Sequence, residues 1–504
     1  MSAIENLLIG FSIVLIPKNI LFCFLGCLIG TLVGVLPGLG PMASIGLLMA
    51  TTIYLHPITG IIMLAGIYYG AMYGGSTTSI LINMPGESAS VVTCLDGYQM
   101  ARQGRAGPAL GIAAFGSFIA GTIGTILLMF LAPPLASVAL SIGPPEYCCL
   151  ILTGFMLLVY LAQGSMLKAL MMCAVGVILS TVGDDIITGI ARFDFGILRL
   201  RDGVGLLPVV MGLFGVGEVL IQLEEIAEKK VEIIKTTMKQ LLPNQKDWRQ
   251  STGPIFRGTI LGFLLGIIPG GGALIASFAS YTLEKKLSKH PEEFGKGTII
   301  GVAGPETANN AATSGCFVPL LTLGIPSNPV MALLLGALMM HGVRPGPLLI
   351  NQNPDLFWAI IASMYIGNAM LLVLNLPLIG MWVQVLKIPY QFLFPVIFLL
   401  CFVGVYTLNN SFFDIGLLIF FGIIGYLFRK FDFEPAPLVL ALVLGPMFEN
   451  ALRQSLIMFD GNVALFFYRP LSAVFISISL IIVITGIASW AKGKKRILSE
   501  ESIN

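Results

Sequence analysis

Apolar runs of about twenty residues follow one another along almost the whole chain, each long enough to cross a hydrocarbon core about 30 Å thick. In such a core every backbone N–H and C=O needs a partner inside the protein. The chain is therefore expected to be an all-α polytopic membrane protein. Its composition agrees: 56% of the 504 residues are hydrophobic and 11% are charged, against about 25% charged in soluble domains. The runs lie near 20–36, 42–54, 58–73, 109–138, 141–163, 166–183 and 204–222. After one long polar segment, Glu224 to Gln250, they resume near 255–281, 311–340, 356–386, 391–408, 412–428, 435–450 and 465–490. This pattern divides the chain into a first membrane half (1–222), a polar linker (223–252), a second membrane half (253–450) and a last helix with a basic tail (451–504).

Basic loops set orientation, because Lys and Arg stay on the cytoplasmic side. The linker carries Lys229, Lys230, Lys235, Lys239, Lys246 and Arg249, and the tail carries Lys492, Lys494, Lys495 and Arg496. Both are predicted to be cytoplasmic, with the loop that holds Arg102 and Arg105. Glu224, Glu225, Glu228 and Glu232 share the linker, which reads as a solvated helix and not as a lipid-binding patch. The N-terminal stretch has neither a basic n-region nor a small-residue cleavage site and reads as mature sequence. No basic stripe interleaved with aromatics points to nucleic acid. Cys23, Cys27, Cys148, Cys149, Cys173 and Cys401 lie in apolar runs as small buried residues. His56, His290 and His341 are too dispersed to form a metal cluster. A Gly-x-x-x-x-Gly-Lys-Ser/Thr loop is missing, which argues against direct use of ATP.

The apolar runs are broken in a repeated way. Gly34-Val-Leu-Pro37-Gly38-Leu-Gly40 matches Gly266-Ile-Ile-Pro269-Gly270-Gly-Gly272. Downstream, "GGSTTSILINMPGES" (Gly74 to Ser88) is answered by "ATSGCFVPLLTLGIPSNP" (Ala312 to Pro329), each ending in a break at Pro85 or Pro326. Gly104 to Pro108 is then answered by Gly342 to Pro347. The shared order predicts two repeated halves with discontinuous helices or re-entrant hairpins. Whether the halves are parallel or inverted is not set by the order alone.

Breaking a span frees N–H and C=O groups and exposes helix ends, the first suited to anions and the second to cations. Interruptions at matching places in a repeat mark the substrate site of a transporter. Gly and Pro also kink spans or let helices pack closely, which is the plainer explanation for any one of them. The polar companions favour a site. Ser76, Thr77, Thr78, Ser79 and Asn83 precede Pro85, and Glu306, Thr307, Asn309, Asn310, Thr313 and Ser314 precede Pro326, with Ser327 and Asn328 after it. Their oxygens can replace the hydration shell of a small cation, and their hydroxyls and amides can donate to a carboxylate. Any single Ser or Thr can instead bond its own helix four residues back. Na⁺ is placed near Gly38, Ser76, Asn310 and Thr313. An ionisable residue inside a span is a functional candidate by default, and Glu306 fits as a cation ligand or proton carrier, or else as a loop-exposed or ion-paired acid. Glu87 and Asp96 are expected to pair with Arg102 or Arg105. Glu146, Asp184, Asp185, Glu218 and Glu434 lie at span ends.

These residues carry a resemblance. "GTLVGVLPGLGP", "YYGAMYGGSTTSILINMPGESASVVTCLDGYQMARQGRAGPALGIAAFGSF", "GIIPGGGALIASFASYTLEKK" and "GVAGPETANNAATSGCFVPLLTLGIPSNPVMALLLGALMMHGVRPGPLL" resemble the large membrane subunit of the tripartite tricarboxylate transporters, the TctA type. The likeness covers nearly the whole chain. It implies the translocation unit of an ion-coupled importer in the bacterial inner membrane, driven by Na⁺ or H⁺ and using no cofactor. It also implies two partners, a small four-helix membrane subunit and a periplasmic binding protein that delivers a citrate-like di- or tricarboxylate. A related carrier fold suggests an elevator-type movement with two helical hairpins. The family's motifs fall on Pro37 to Gly40, Pro269 to Gly272 and Pro305 to Ala311. Two other readings compete: a stand-alone carrier or channel, and, remotely, an intramembrane serine protease built on Ser76 with His341 as base.

Overall fold

The computed structural model describes residues 2–36, 40–162, 165–185, 187–225, 241–386 and 390–501. Helix α1 (Ala3–Val14) is held by a Ser2–Glu5 capping box, and Pro17 opens α2 (Pro17–Val35). There follow α3 (Gly40–Thr52), α4 (Pro57–Ile82), α5 (Val91–Met100) and α6 (Ala106–Ala139). Next come α7 (Pro144–Leu161), α8 (Met166–Ser180) and α9 (Leu206–Val210), which passes through a π-helical turn into α10 (Gly217–Glu225). Within the expected linker, Asn244 and Asp247 cap α11 (Gln245–Ile267), which therefore begins earlier than the polar composition suggests. It is followed by α12 (Gly272–Leu287), α13 (Ile300–Leu323) and α14 (Pro329–Met340). The chain continues through α15 (Leu349–Gln352), α16 (Pro354–Asn375), α17 (Ile379–Val385), α18 (Tyr390–Asn409) and α19 (Phe412–Lys430). It ends in α20 (Ala436–Met458), α21 (Leu465–Tyr468) and α22 (Pro470–Glu501).

Eight helical stretches among the described residues are long and apolar enough to cross a membrane, so a polytopic membrane protein is confirmed, with fewer spans than the fourteen apolar runs. The runs at 255–281, 311–340 and 356–386 are each two helices. The turn signals inside them, Pro269 to Gly272, Gly324 to Asn328 and Leu376 to Leu378, outweigh their continuous hydropathy. Helix α4 stops on Asn83 and α13 on Gly324, both left-handed, at φ 57° and 69°.

The described helices form two compact units, residues 1–139 with 205–430 and residues 140–204 with 431–504. The first is organised by two helix pairs. In α2, Gly26, Gly30 and Gly34 recur every four residues and lie against α4; in α11, Gly258, Gly262 and Gly266 do the same against α13. A Cβ at any of these six positions would run into backbone carbonyls of Met63, Ile67, Ala71, Gly304, Ala308 or Ala312. The backbones therefore touch, a contact open only to small residues. Helix α6 covers the α11–α13 pair and α16 covers the α2–α4 pair, with α6 and α16 against each other. In the same crosswise manner α3 packs on α14, and α12 packs on α5.

In the second unit, α20 packs on both α7 and α8, and α22 on α7. A two-stranded hairpin joins Gly183–Asp184 to Ala191–Arg192. Charges at the helix ends are paired: Glu146 with Arg469 at 2.7 Å, and Asp185 with Arg453 at 2.8 Å.

Two expected ion pairs are not made. Asp96 is fully buried and accepts from Tyr281 Oη (2.9 Å) and from the N–H groups of Gly295, Gly297 and Thr298. Arg105 pairs instead with Asp247 at 2.5 Å. Backbone donors of the loop before α13 reach Asp96 first, and closeness in sequence does not decide the partner. Glu87 also has another role, described below.

Replacing Gly262 by Val should collapse the detergent-solubilised protein's thermal stability, costing at least about 1–3 kcal/mol by overpacking. Replacing Gly416, exposed in α19 with nothing within 4 Å of its missing Cβ, by Ala should be neutral or mildly stabilising. Equal melting temperatures for the two variants would contradict the backbone contact.

Candidate functional site

Within the first unit, α4, α5, α6, α13 and α16 surround a polar cluster. Its centre is Glu306, in the second turn of α13 and 1% exposed. Ser76 Oγ of α4 donates to Glu306 Oε2 at 2.5 Å, and Thr93 Oγ1 of α5 donates to Oε1. One turn further along α13, Asn310 Nδ2 donates to Ser117 Oγ of α6 at 2.7 Å and to the Glu306 carbonyl at 3.0 Å. Asn309 Nδ2 donates to Glu87 Oε1 at 3.3 Å, while the other carboxylate oxygen of Glu87 takes the Ala89 N–H at 2.6 Å. Tyr73 Oη donates to Asn368 Oδ1 of α16 at 2.5 Å, and Asn368 Nδ2 turns to Phe118 O and Thr122 of α6.

The electrostatics are unusual. Glu306 and Glu87 are both buried, and among the described residues neither has an ion-pair partner. Arginines on neighbouring helices are committed elsewhere, Arg105 to Asp247 and Arg257 to Glu284. A carboxylate taken out of water without a counter-charge is costly unless a proton, a bound cation or several N–H donors, as at Asp96, offset its desolvation. Glu306 has two hydroxyl donors and Glu87 one amide and one backbone N–H, a smaller complement.

A second group forms where the two breaks of the later half meet. Gly270 N–H donates to Ser327 O at 2.8 Å. Gly272, at φ 54°, opens α12 close to Asn328, which caps α14 through Met331 N–H and donates to Tyr68 Oη at 3.1 Å. The N-terminal ends of α12 and α14 thus converge, as do two partial positive charges. In the earlier half Gly86, next to Pro85, lies against the carbonyl of Gly34.

The expected site residues fall into three sets. Ser76, Thr77, Glu306, Asn309 and Asn310 come together, and so do Pro269, Gly270, Gly272, Pro326, Ser327 and Asn328. Thr78, Ser79 and Thr313 are buried but bond carbonyls of their own helices, at Gly75 and Asn309. Ser314 packs against Gly124. Asn83 is exposed, a helix cap remote in role from the cluster. Gly40 opens α3 at φ 55°, and Pro37 and Gly38 lie outside the described residues. Thr93, Ser117, Tyr73, Asn368 and Asn375 were not foreseen. Their signal was a polar residue in an apolar run away from any break. The Ser76–His341 pair of a protease is not assembled: Ser76 serves Glu306, and His341 Nε2 lies 3.3 Å from Thr52 Oγ1.

The sequence model of the tripartite tricarboxylate transporter TctA family matches residues 20–440. The chain belongs to the TctA family. It is 52% identical over 502 residues to an uncharacterized 52.8 kDa protein of the TAR-I ttuC′ 3′ region of Agrobacterium vitis, covering 99% of this chain and all of that protein. An uncharacterized protein of the TAR-II ttuC′ 3′ region of the same organism is 51% identical over 234 residues, 46% of this chain and 97% of its own length. No solved structure matches. TctA proteins are components of a multi-subunit membrane transporter, so the cluster lies in a transport protein, with α4 and α13 within the matched residues.

Thr93→Val should leave Glu306 one donor short and lower stability by about 1–3 kcal/mol. Glu306→Gln keeps an oxygen for one hydroxyl and offers N–H to the other, and should melt within about 1 kcal/mol of the parent. Thermal unfolding of the purified protein checks the order, and a more damaging Gln substitution would contradict it.

Proposed function

We propose that this TctA-family chain is the translocation subunit of a binding-protein-dependent, cation-coupled importer of a di- or tricarboxylate, citrate-like in chemistry, in the bacterial inner membrane. Its partners are a small four-helix membrane subunit and a periplasmic substrate-binding protein, and its linker and C-terminal tail are cytoplasmic. The observation that carries this reading is Glu306, buried with Glu87 among neutral donors and without a counter-charge. A carrier that must neutralise its own carboxylates binds its coupling cation or proton at the same moment that it becomes able to cross. The converging ends of α12 and α14 supply the complementary chemistry, the positive ends of two helix dipoles, for the anionic cargo. Two repeated halves belong to the same reading. The matching glycine stripes of α2 and α11 support them, and an elevator-type movement would carry the site across.

The test is uptake by proteoliposomes that contain the complete three-component system. Saturable uptake of a carboxylate, dependent on the binding protein and abolished when Na⁺ and H⁺ gradients are dissipated, is the expected result. Uptake without the binding protein, or flux that does not saturate, would favour the stand-alone carrier or the channel. Glu306→Gln should lower uptake by about 100-fold, or about 2.7 kcal/mol in barrier terms, with assembly intact. Asn310→Leu should do the same.

A further inference from the structure

Beside Glu306, where α4, α6 and α16 meet, Tyr73, Ser76, Thr77, Ser117 and Asn375 line a small cavity together with Leu110, Ala113 and Ala114 of α6. It has room for about one water-sized body. The hydrogen bonds around it leave mostly acceptors. Tyr73 has given its proton to Asn368, and Ser76 has given its proton to Glu306, so the lone pairs of both oxygens remain. Asn375 has committed Nδ2 to the Leu371 carbonyl at 2.9 Å, and its Oδ1, on a side chain only 5% exposed, has no hydrogen-bond partner. An anion would find as donors only the hydroxyls of Thr77 and of Ser117, the latter already accepting from Asn310. A divalent ion would call for carboxylate ligands, and all five polar side chains are neutral.

We propose that this cavity is a binding site for a single dehydrated monovalent cation, Na⁺ in the first instance, with Asn375 Oδ1 and the oxygens of Tyr73, Ser76, Thr77 and Ser117 as ligands. Its role rests on the cation-coupled reading above. Ser76 is the link: the hydroxyl that coordinates the ion also donates to Glu306, so the ion polarises that hydrogen bond and stabilises the carboxylate without touching it. The site keeps Ser76 from the Na⁺ position expected from the sequence. It includes neither Asn310, whose Nδ2 donates to Ser117, nor Thr313, whose hydroxyl donates to the Asn309 carbonyl.

The experiment is thermal stability and ²²Na⁺ binding of the purified full-length chain, without cargo, with Na⁺ exchanged for choline at constant ionic strength. The parent should show saturable stabilisation by Na⁺. Asn375→Leu and Thr77→Val should each weaken the apparent Na⁺ affinity by about tenfold or more, with midpoints in choline unchanged. Asn375→Asp, which adds charge to the same ligand atom, should restore or tighten binding. If Asn375→Leu does not fold in choline, the near-isosteric Thr77→Val decides. A parent that responds to Na⁺ no more than to choline, as a cavity holding only water would, overturns the site, and so do variants with parental affinity. Gradient-driven carboxylate uptake alongside such a result would leave the carrier reading standing. Na⁺ binding that these variants remove, in a system that takes up no carboxylate, would overturn that reading and keep the site.

Discussion

The contact on which this structure depends is backbone against backbone. Along α2–α4 and α11–α13 the glycine stripes bring main chains together with no side chain between them. That closeness makes it possible to interrupt a span in hydrocarbon, where a freed N–H or C=O must be answered from within the protein. Gly270 N–H finds the Ser327 carbonyl, and Gly86 sits against Gly34, because the helices that carry the breaks are already clamped. The polar cluster of Glu306 is built on the same clamp.

Much of this was legible in the sequence, for a physical reason. Pro and Gly act on their own neighbours, so the breaks at Pro269 to Gly272 and at Pro326 could be read directly. Glu306 was legible because a carboxyl group inside an apolar run is costly wherever it packs. What could not be read were the partners. Thr93 lies 213 residues from Glu306 and Tyr73 lies 295 from Asn368, and no local pattern encodes such pairings. Thr78, Ser79 and Thr313 looked equal to Ser76 and Thr77 in the sequence. They differ only in the face of the helix they occupy, and they turn to carbonyls, of their own helix and, for Ser79, also of Ser90. Arg105 shows the reverse error, since Asp247, in the first turn of α11 at the end of the polar linker, took the place of its sequence neighbours.

The site divides its chemistry between two places. Around Glu306 and Asn375 the groups left over are oxygens with lone pairs; at the starts of α12 and α14, where Gly270 and Met331 N–H are already bonded, what remains is the positive ends of two helix dipoles. Opposite charges that travel together can be held by one protein without a buried arginine or lysine, whose own desolvation would have to be offset. Neutral dipoles are weaker ligands than ions, and they release what they hold.

The crosswise packing of α6 on α11–α13 and of α16 on α2–α4 has a consequence for biosynthesis. Ser76 leaves the ribosome 230 residues before Glu306 does. At about 5–20 residues per second, that is a wait of roughly ten to fifty seconds. Throughout it the polar face of α4 has none of its final neighbours from α13 or α16, so the early helices sit in the bilayer as an open book whose pages close only when α13 and then α16 arrive.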